Sequence, residues 1–158
     1  MRYSPLPTPI GELLLTADDD GALIAVHLPG RHPGTTRWTR DDRHLAPARA
    51  QLTEYFAGER TAFDVPLRPE GGPFQLRVWE ALRGIPYGET TSYGELARRI
   101  GAPGSARAVG AANGRNPLAI VVPCHRVIGA SGALTGYAGG LECKRALLDL
   151  EVGRAALV

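Results

Sequence analysis

The sequence predicts a mixed α/β (α+β) fold: a small sheet with one helix in the first half, then a mostly helical half built on a helix-turn-helix. Three observations carry this. Residues 10–16 and 23–28 are β-rich and flank Asp18-Asp19-Asp20-Gly21, a turn signal between strands. Residues 68–73, Arg-Pro-Glu-Gly-Gly-Pro, form a linker where the composition changes. After it, apolar residues recur at helical spacing in several short segments. The 158 residues therefore divide into an N-terminal sheet-plus-helix domain, 1–70, and a second domain, 71–158.

Taken in order, the two β-rich segments read as a hairpin. Residues 31–43 are rich in Gly, Pro, Thr and charge, and read as a loop with a solvated His32. Residues 45–56 read as a helix, with Leu45, Ala48, Leu52 and Tyr55/Phe56 on one stripe and Gly58 as the stop. Residues 62–67 alternate like an edge strand. Past the linker, Phe74, Val78, Trp79, Leu82 and Ile85 make a helical stripe ended by Pro86-Tyr87-Gly88. Ser92 and Glu95 have the spacing of a capping box, opening a short helix that buries Leu96, Ala97 and Ile100. Gly101-Ala102-Pro103-Gly104 is a turn, and residues 105–113 form a second short helix ended by Gly114. Cys143, Ala146, Leu147 and Leu150 recur as the core face of a last helix. Glu151 at its end opposes the helix dipole and by itself reads as a surface residue.

Two short helices joined by a glycine-bearing turn describe a helix-turn-helix. The second helix has one long side chain, Arg107, among Ser105, Ala106, Ala108, Val109, Gly110, Ala111 and Ala112. A major-groove reader would carry side chains that reach base edges. Small residues instead permit close approach to a narrow groove, or tight packing in a core. The charge pattern favours the groove. Net charge is only +2, yet no acidic residue lies between Glu95 and Glu142, a stretch holding Arg98, Arg99, Arg107, Arg115 and Arg126. A one-sign block suits phosphate, and double-stranded DNA bound through its minor groove is the partner it fits.

The chemistry centres on residues 120–128, Ile-Val-Val-Pro-Cys-His-Arg-Val-Ile. Residues 120–122 read as a short buried strand that Pro123 stops. In an extended chain Cys124 and His125 would face opposite ways, so cooperation requires a turn. The thiolate is the nucleophilic form of cysteine, and a neighbouring histidine can generate it. A buried structural cysteine beside an exposed histidine fits the pentapeptide equally.

Four motifs surround that stretch in order: Arg107-Ala108-Val109-Gly110, Asn116-Pro117, Pro123-Cys124-His125-Arg126-Val127 and Tyr137-Ala138-Gly139-Gly140. Together they closely resemble the O6-alkylguanine-DNA alkyltransferase family, the methylated-DNA–protein-cysteine methyltransferases. The resemblance is dense from about Phe74 to Glu151 and looser before it. It implies a ribonuclease-H-like N-terminal domain and a winged-helix/helix-turn-helix-like C-terminal domain. It implies a DNA repair protein that flips O6-alkylguanine, chiefly O6-methylguanine, out of the duplex and transfers the alkyl group irreversibly to Cys124, once per molecule. By the same resemblance His125 is the base, Glu151 its orienter, Asn116 a hinge and Tyr93 the phenol that protonates the leaving guanine. Arg107 is the finger that fills the emptied stack, while Ser105, Ala106, Ala108, Gly110, Arg115 and Arg126 face DNA. Val127, Tyr137, Ala138 and Gly139 wall the pocket. Ala138 stands where some relatives carry serine, and a backbone N–H can still serve O6.

Other classes fit less well. No apolar run reaches the ~18 residues of a membrane span, and residues 1–5 lack the apolar stretch of a signal peptide. Two cysteines, Cys124 and Cys143, suit a reducing cytoplasm rather than a disulfide scaffold. No His/Cys cluster has metal spacing. The expectation is a monomer needing no cofactor, with cooperative binding along DNA left open. A non-enzymatic lesion sensor is disfavoured by Cys124. A cysteine hydrolase leaves Arg107 and the basic block unexplained. A winged-helix transcription factor needs neither the N-terminal domain nor the nucleophile stretch.

Overall fold

The computed structural model describes residues 1–153. Four strands, β1 (Arg2–Thr8), β2 (Gly11–Ala17), β3 (Leu23–His27) and β4 (Thr39–Arg40), form a sheet in the order β3-β2-β1-β4. The expected hairpin is β2–β3, antiparallel, with a bulge between Thr16 and Ala17. Its turn is held by the Asp18 carboxylate, which accepts the N–H groups of Asp20 and Ala22. β1 is an element that the sequence reading omits. Pro5 and Pro7 disguise it, since proline is tolerated in a strand only where no ladder partner is needed. β4 pairs with Arg2 and Tyr3 alone, so the rest of β1 is an edge on that side. His32 is exposed, as expected of the loop, but its Nε2 lies 2.8 Å from the Glu12 carbonyl.

Helix α1 (Ala46–Phe56) packs on β1 and buries Ala48, Leu52, Tyr55 and Phe56. Gly58 stops it in the left-handed region, φ 77°. Residues 62–67 do not form a strand. Their alternation is real, with Phe63, Val65 and Leu67 half-buried, but the segment touches the sheet at one parallel bridge, Leu67 to Leu23. Residues 68–72 carry no helix or strand.

Helix α2 (Pro73–Leu82) opens on Pro73 at its first position. It ends at Leu82, earlier than residues 86–88; Ile85 is still buried, on a tightened turn closed by its N–H to the Leu82 carbonyl. A two-residue parallel pair, β5 (Thr91–Ser92) with β6 (Val127–Ile128), ties the next helix to the cysteine segment. The helix-turn-helix is α3 (Tyr93–Arg99) and α4 (Ala106–Gly114), joined through Gly101 and Gly104, both left-handed. Ser92 caps α3 through the Glu95 N–H at 3.1 Å, but the Glu95 carboxylate turns to Arg98, so only half of the capping box forms. The Trp79 indole of α2 donates to the Ala112 carbonyl at 2.8 Å and fixes the seat of α4.

Helix α5 (Leu141–Glu151) lies against the Cys124–Arg126 turn. Cys143, expected in the core, is half-buried; the fully buried neighbour is Lys144. One apolar core runs through both halves, and the Val26 N–H bonds the Pro117 carbonyl across them at 2.8 Å. Among the described residues no helix is long and apolar enough to cross a membrane. Residues 154–158, the end of the expected second domain, lie outside the described residues.

Candidate active site

Residues 120–122 are buried, as the sequence suggests, but they are not a strand. Ile120 has φ 72°, and the Val121 N–H reaches the Ala119 carbonyl at 2.8 Å, a γ-turn centred on Ile120. Pro123, at φ −81° and ψ 64°, centres a second γ-turn of the inverse kind, closed by Cys124 N–H to Val122 carbonyl at 2.8 Å. Cys124, His125 and Arg126 follow as a single 3-10 turn. A β-branched residue at positive φ is strained by about 1–2 kcal/mol, so its surroundings must hold it. Asn116 does this. Its side-chain amide donates to the Val122 carbonyl at 2.9 Å and its side-chain oxygen accepts the Leu118 N–H at 3.0 Å. Asn113, on the last turn of α4, donates to the Cys124 carbonyl at 3.3 Å. The two asparagines thus link the helix-turn-helix to the cysteine turn.

Glu151 is not a surface residue; it is 5% exposed. Its Oε2 accepts from His125 Nε2 at 2.6 Å, from the Tyr55 hydroxyl at 2.6 Å and from Arg126 Nη2 at 3.0 Å. Its Oε1 accepts from Arg126 Nε at 2.7 Å. Burial disfavours the charge, but the hydrogen bonds from His125, Arg126 and Tyr55 prevail and hold the carboxyl at about 2. An ionised Glu151 makes His125 the donor, through Nε2–H. Burial holds the His125 imidazole below its ordinary pKa, against the pull of Glu151, so the ring is neutral. Its Nδ1 is then a lone-pair acceptor, and it has no partner among the described residues. Burial pushes the Cys124 thiol up, with Asn116, the Lys144 charge and the Tyr137 phenol opposing. The resting group is a thiol that needs a base.

Cys124 shares a small cavity with Leu28, Asn113, Asn116, Tyr137 and Ala138. Gly139 packs closely: a Cβ there would sit 3.1 Å from Cys143 Sγ and from Leu28 Cδ1, so both side chains would have to give way. Val127, expected in the pocket wall, does not line this cavity. It is fully buried in β6, and its carbonyl accepts Lys144 Nζ at 2.7 Å. Tyr93 is half-buried, its ring beside Gly110 and its hydroxyl 2.7 Å from Thr135 Oγ1. On α4, Val109 and Ala112 face the core, whereas Arg107, Ala108 and Ala111 are exposed. Ser105, Ala106 and Gly110 are half-buried.

Arg126 is a correction to the expected DNA-facing set. It is 6% exposed, its guanidinium is held by Glu151 and by the Ile85 carbonyl at 2.6 Å, and it lies over the Tyr87 ring at 5.7 Å. It is the counter-ion of Glu151. Arg98 and Arg99 both pair with Glu95. Of the five arginines in the basic block, Arg107 and Arg115 are exposed without a partner among the described residues. Three residues of the site escaped the sequence reading: Tyr55, Asn113 and Lys144. Tyr55 was visible only as a helix-stripe aromatic, and Lys144 sits one position off the stripe that Cys143 marks.

Known proteins resemble the chain over nearly its whole length. The family model described as the DNA binding domain of 6-O-methylguanine DNA methyltransferase matches residues 73–153, and the model of its ribonuclease-like domain matches residues 1–69. The methylated-DNA–protein-cysteine methyltransferase of Mycobacterium tuberculosis is 56% identical over 157 residues, 98% of this chain and 94% of its own. That of Methanosarcina acetivorans is 51% identical over 153 residues, 96% of this chain and 98% of its own. A crystal structure of the M. tuberculosis protein in complex with DNA superposes with a TM-score of 0.92, covering 98% of this chain and 95% of that one at 56% identity.

The shifts of His125 and Glu151 leave the unfolded chain binding more protons than the folded one in acid. His125 sits below 6.5 when folded, so stability falls as pH drops below about 6.5; Glu151 sits at about 2 against 4.5, so a second loss runs from about pH 4.5 to 2. Melting temperature should be highest above pH 7 and decline through both windows. Glu151→Gln should remove the lower window and, by leaving Arg126 buried and unpaired, cost about 3–5 kcal/mol at pH 7. Equal melting temperatures at pH 7 and pH 4 would contradict this assignment of charges.

Proposed function

The chain belongs to the O6-methylguanine-DNA methyltransferase family, and from that premise we propose how its own residues carry the reaction. The activity is DNA repair by alkyl transfer from methylated DNA to a protein cysteine. The acceptor is Cys124. The observation that carries this reading is the line from ionised Glu151 to His125 Nε2, which leaves Nδ1 as a bare acceptor in the ring beside the cysteine.

The damaged guanine is flipped out of the stack and presents its O6-alkyl group to Cys124. His125 Nδ1 takes the thiol proton through a bridging water, and Glu151 stabilises the imidazolium. Sulfur attacks the alkyl carbon, and the C–O6 bond breaks with its electron pair passing into the guanine. Tyr93 delivers a proton to the ring and is reprotonated from solvent; its present bond to Thr135 opens as it does so. The products are guanine and S-alkyl-Cys124. No base in the site can hydrolyse a thioether, so each molecule reacts once. Among the pocket residues Tyr137 and Ala138 contact the alkylated base, while Gly139 keeps the loop close to Leu28.

Double-stranded DNA binds along α4 through the minor groove. Exposed Ala108 and Ala111 let the duplex approach closely, Arg107 enters the stack in place of the flipped base, and Arg115 meets a phosphate. The protein acts as a cytoplasmic monomer.

Intact mass after mixing with methylated duplex tests the acceptor. The wild-type chain should gain one methyl in place of the thiol hydrogen, located on Cys124. Cys124→Ser should gain none and still bind DNA, and Cys143→Ser should react normally; a label on Cys143 would overturn the assignment. The finger is tested by a ratio. Arg107→Ala should slow reaction with duplex far more than with free O6-benzylguanine, which needs no flipping. Arg115→Ala should weaken binding modestly. If Arg107→Ala slows both reactions by one factor, the residue supports the fold rather than the flip.

A further inference from the structure

We propose that Tyr55, from the N-terminal half, is a positioning residue for alkyl transfer: its hydroxyl fixes the Glu151 carboxylate in the orientation that orders His125. This rests on the proposed roles of His125 and Cys124. Tyr55 touches neither the cysteine cavity nor the exposed face of α4. Its ring is fully buried and boxed by three aromatics, edge-on to Phe56 at 5.3 Å and to Tyr87 at 6.3 Å, and tilted to Phe63 at 5.7 Å. That box aims the hydroxyl in one direction. Its hydrogen bond there is to Glu151 Oε2, 2.6 Å away and 96 residues along the chain.

Packing alone would be served by phenylalanine, which fills the same box without a polar atom to satisfy. The hydroxyl therefore has a purpose at the carboxylate. Arg126 reaches both Glu151 oxygens, and Gly88 N–H lies 3.5 Å from Oε1. Those contacts hold the carboxylate from the catalytic half only. Tyr55 closes the remaining side of Oε2, the oxygen that His125 uses. Among the described residues, the other ionisable groups around this pair are Tyr87 beside Arg126, Lys144 near His125, Cys124 next to His125 in the chain, and Tyr137, which feels both Tyr55 and Cys124. Tyr55 is neutral, held above its ordinary pKa by burial and by the Glu151 charge. It withdraws electron density from Oε2. Without it, the full negative charge faces the imidazole and favours the imidazolium.

Tyr55→Phe tests this against Leu52→Val, a core change on the same helix that leaves Glu151 alone. The first readout is the His125 imidazole titration by NMR, which needs no alkyl transfer. The second is the rate of reaction with free O6-benzylguanine across pH 5.5–9, which needs no DNA. In Tyr55→Phe the His125 midpoint should rise by about half a pH unit or more, and the acidic limb of the rate profile should move with it. DNA affinity should stay within about twofold, because α4 is untouched. Leu52→Val should lower the melting temperature and leave both midpoints in place. A His125 midpoint in Tyr55→Phe equal to or below the wild-type value overturns the proposal, as does an equal rise in Leu52→Val. A wild-type chain that fails to alkylate Cys124 would defeat the functional reading, while the imidazole titration would still decide the role of Tyr55.

Discussion

The ionised carboxylate of Glu151 is the constraint on which the rest of the site depends. A buried charge is costly, and here it stands at the C-terminal end of α5, where the helix dipole adds to the cost. It persists because three side chains converge on it: Arg126 from the cysteine turn, His125 beside it, and Tyr55 from the sheet domain. Each is buried, so each in turn needs the carboxylate. The arrangement dictates protonation states. Glu151 and Arg126 are charged, Tyr55 and His125 are neutral, and the imidazole is left with its free lone pair on Nδ1.

A second constraint shapes the cysteine itself. The chain reverses twice within a few residues, through γ-turns of opposite hand at Ile120 and Pro123, and only then reaches Cys124. Such a path is strained, and Asn116 and Asn113 hold it from the end of α4. The same helix exposes Arg107, Ala108 and Ala111 on its far side. On the proposed reading, contact with DNA on that face of α4 would be mechanically connected, through two asparagines, to the backbone carrying Cys124. That connection would be a reason for a DNA-binding element and a reactive cysteine to share one small domain.

What could be read from the sequence was what depends on neighbours in the chain. The Asp18 turn, the Ser92 cap and the Gly58 stop are all local, and all formed. The ordered motifs from Arg107 to Gly140 identified the family whose relatives match the chain. What failed depends on distant partners. The run Ile120-Val121-Val122 signals burial, and burial was mistaken for extension. Arg126 looked like a DNA contact because a charge pattern gives sign without depth; its partner lies 25 residues away. Lys144 carries a charge that periodicity would put outside, yet two carbonyls, of Val127 and Thr135, receive it in the interior. Tyr55 was legible as an aromatic on a helix, but nothing local reveals that its hydroxyl meets Glu151.

The central claim is that Glu151 fixes His125 as a neutral imidazole protonated on Nε2. Nitrogen-15 spectra of the labelled ring at pH 7.5 measure that state directly. The account predicts a protonated Nε2 and an unprotonated Nδ1 in the unreacted protein. A doubly protonated ring at that pH, or a proton on Nδ1 instead, would contradict it, because His125 could then not accept the Cys124 proton.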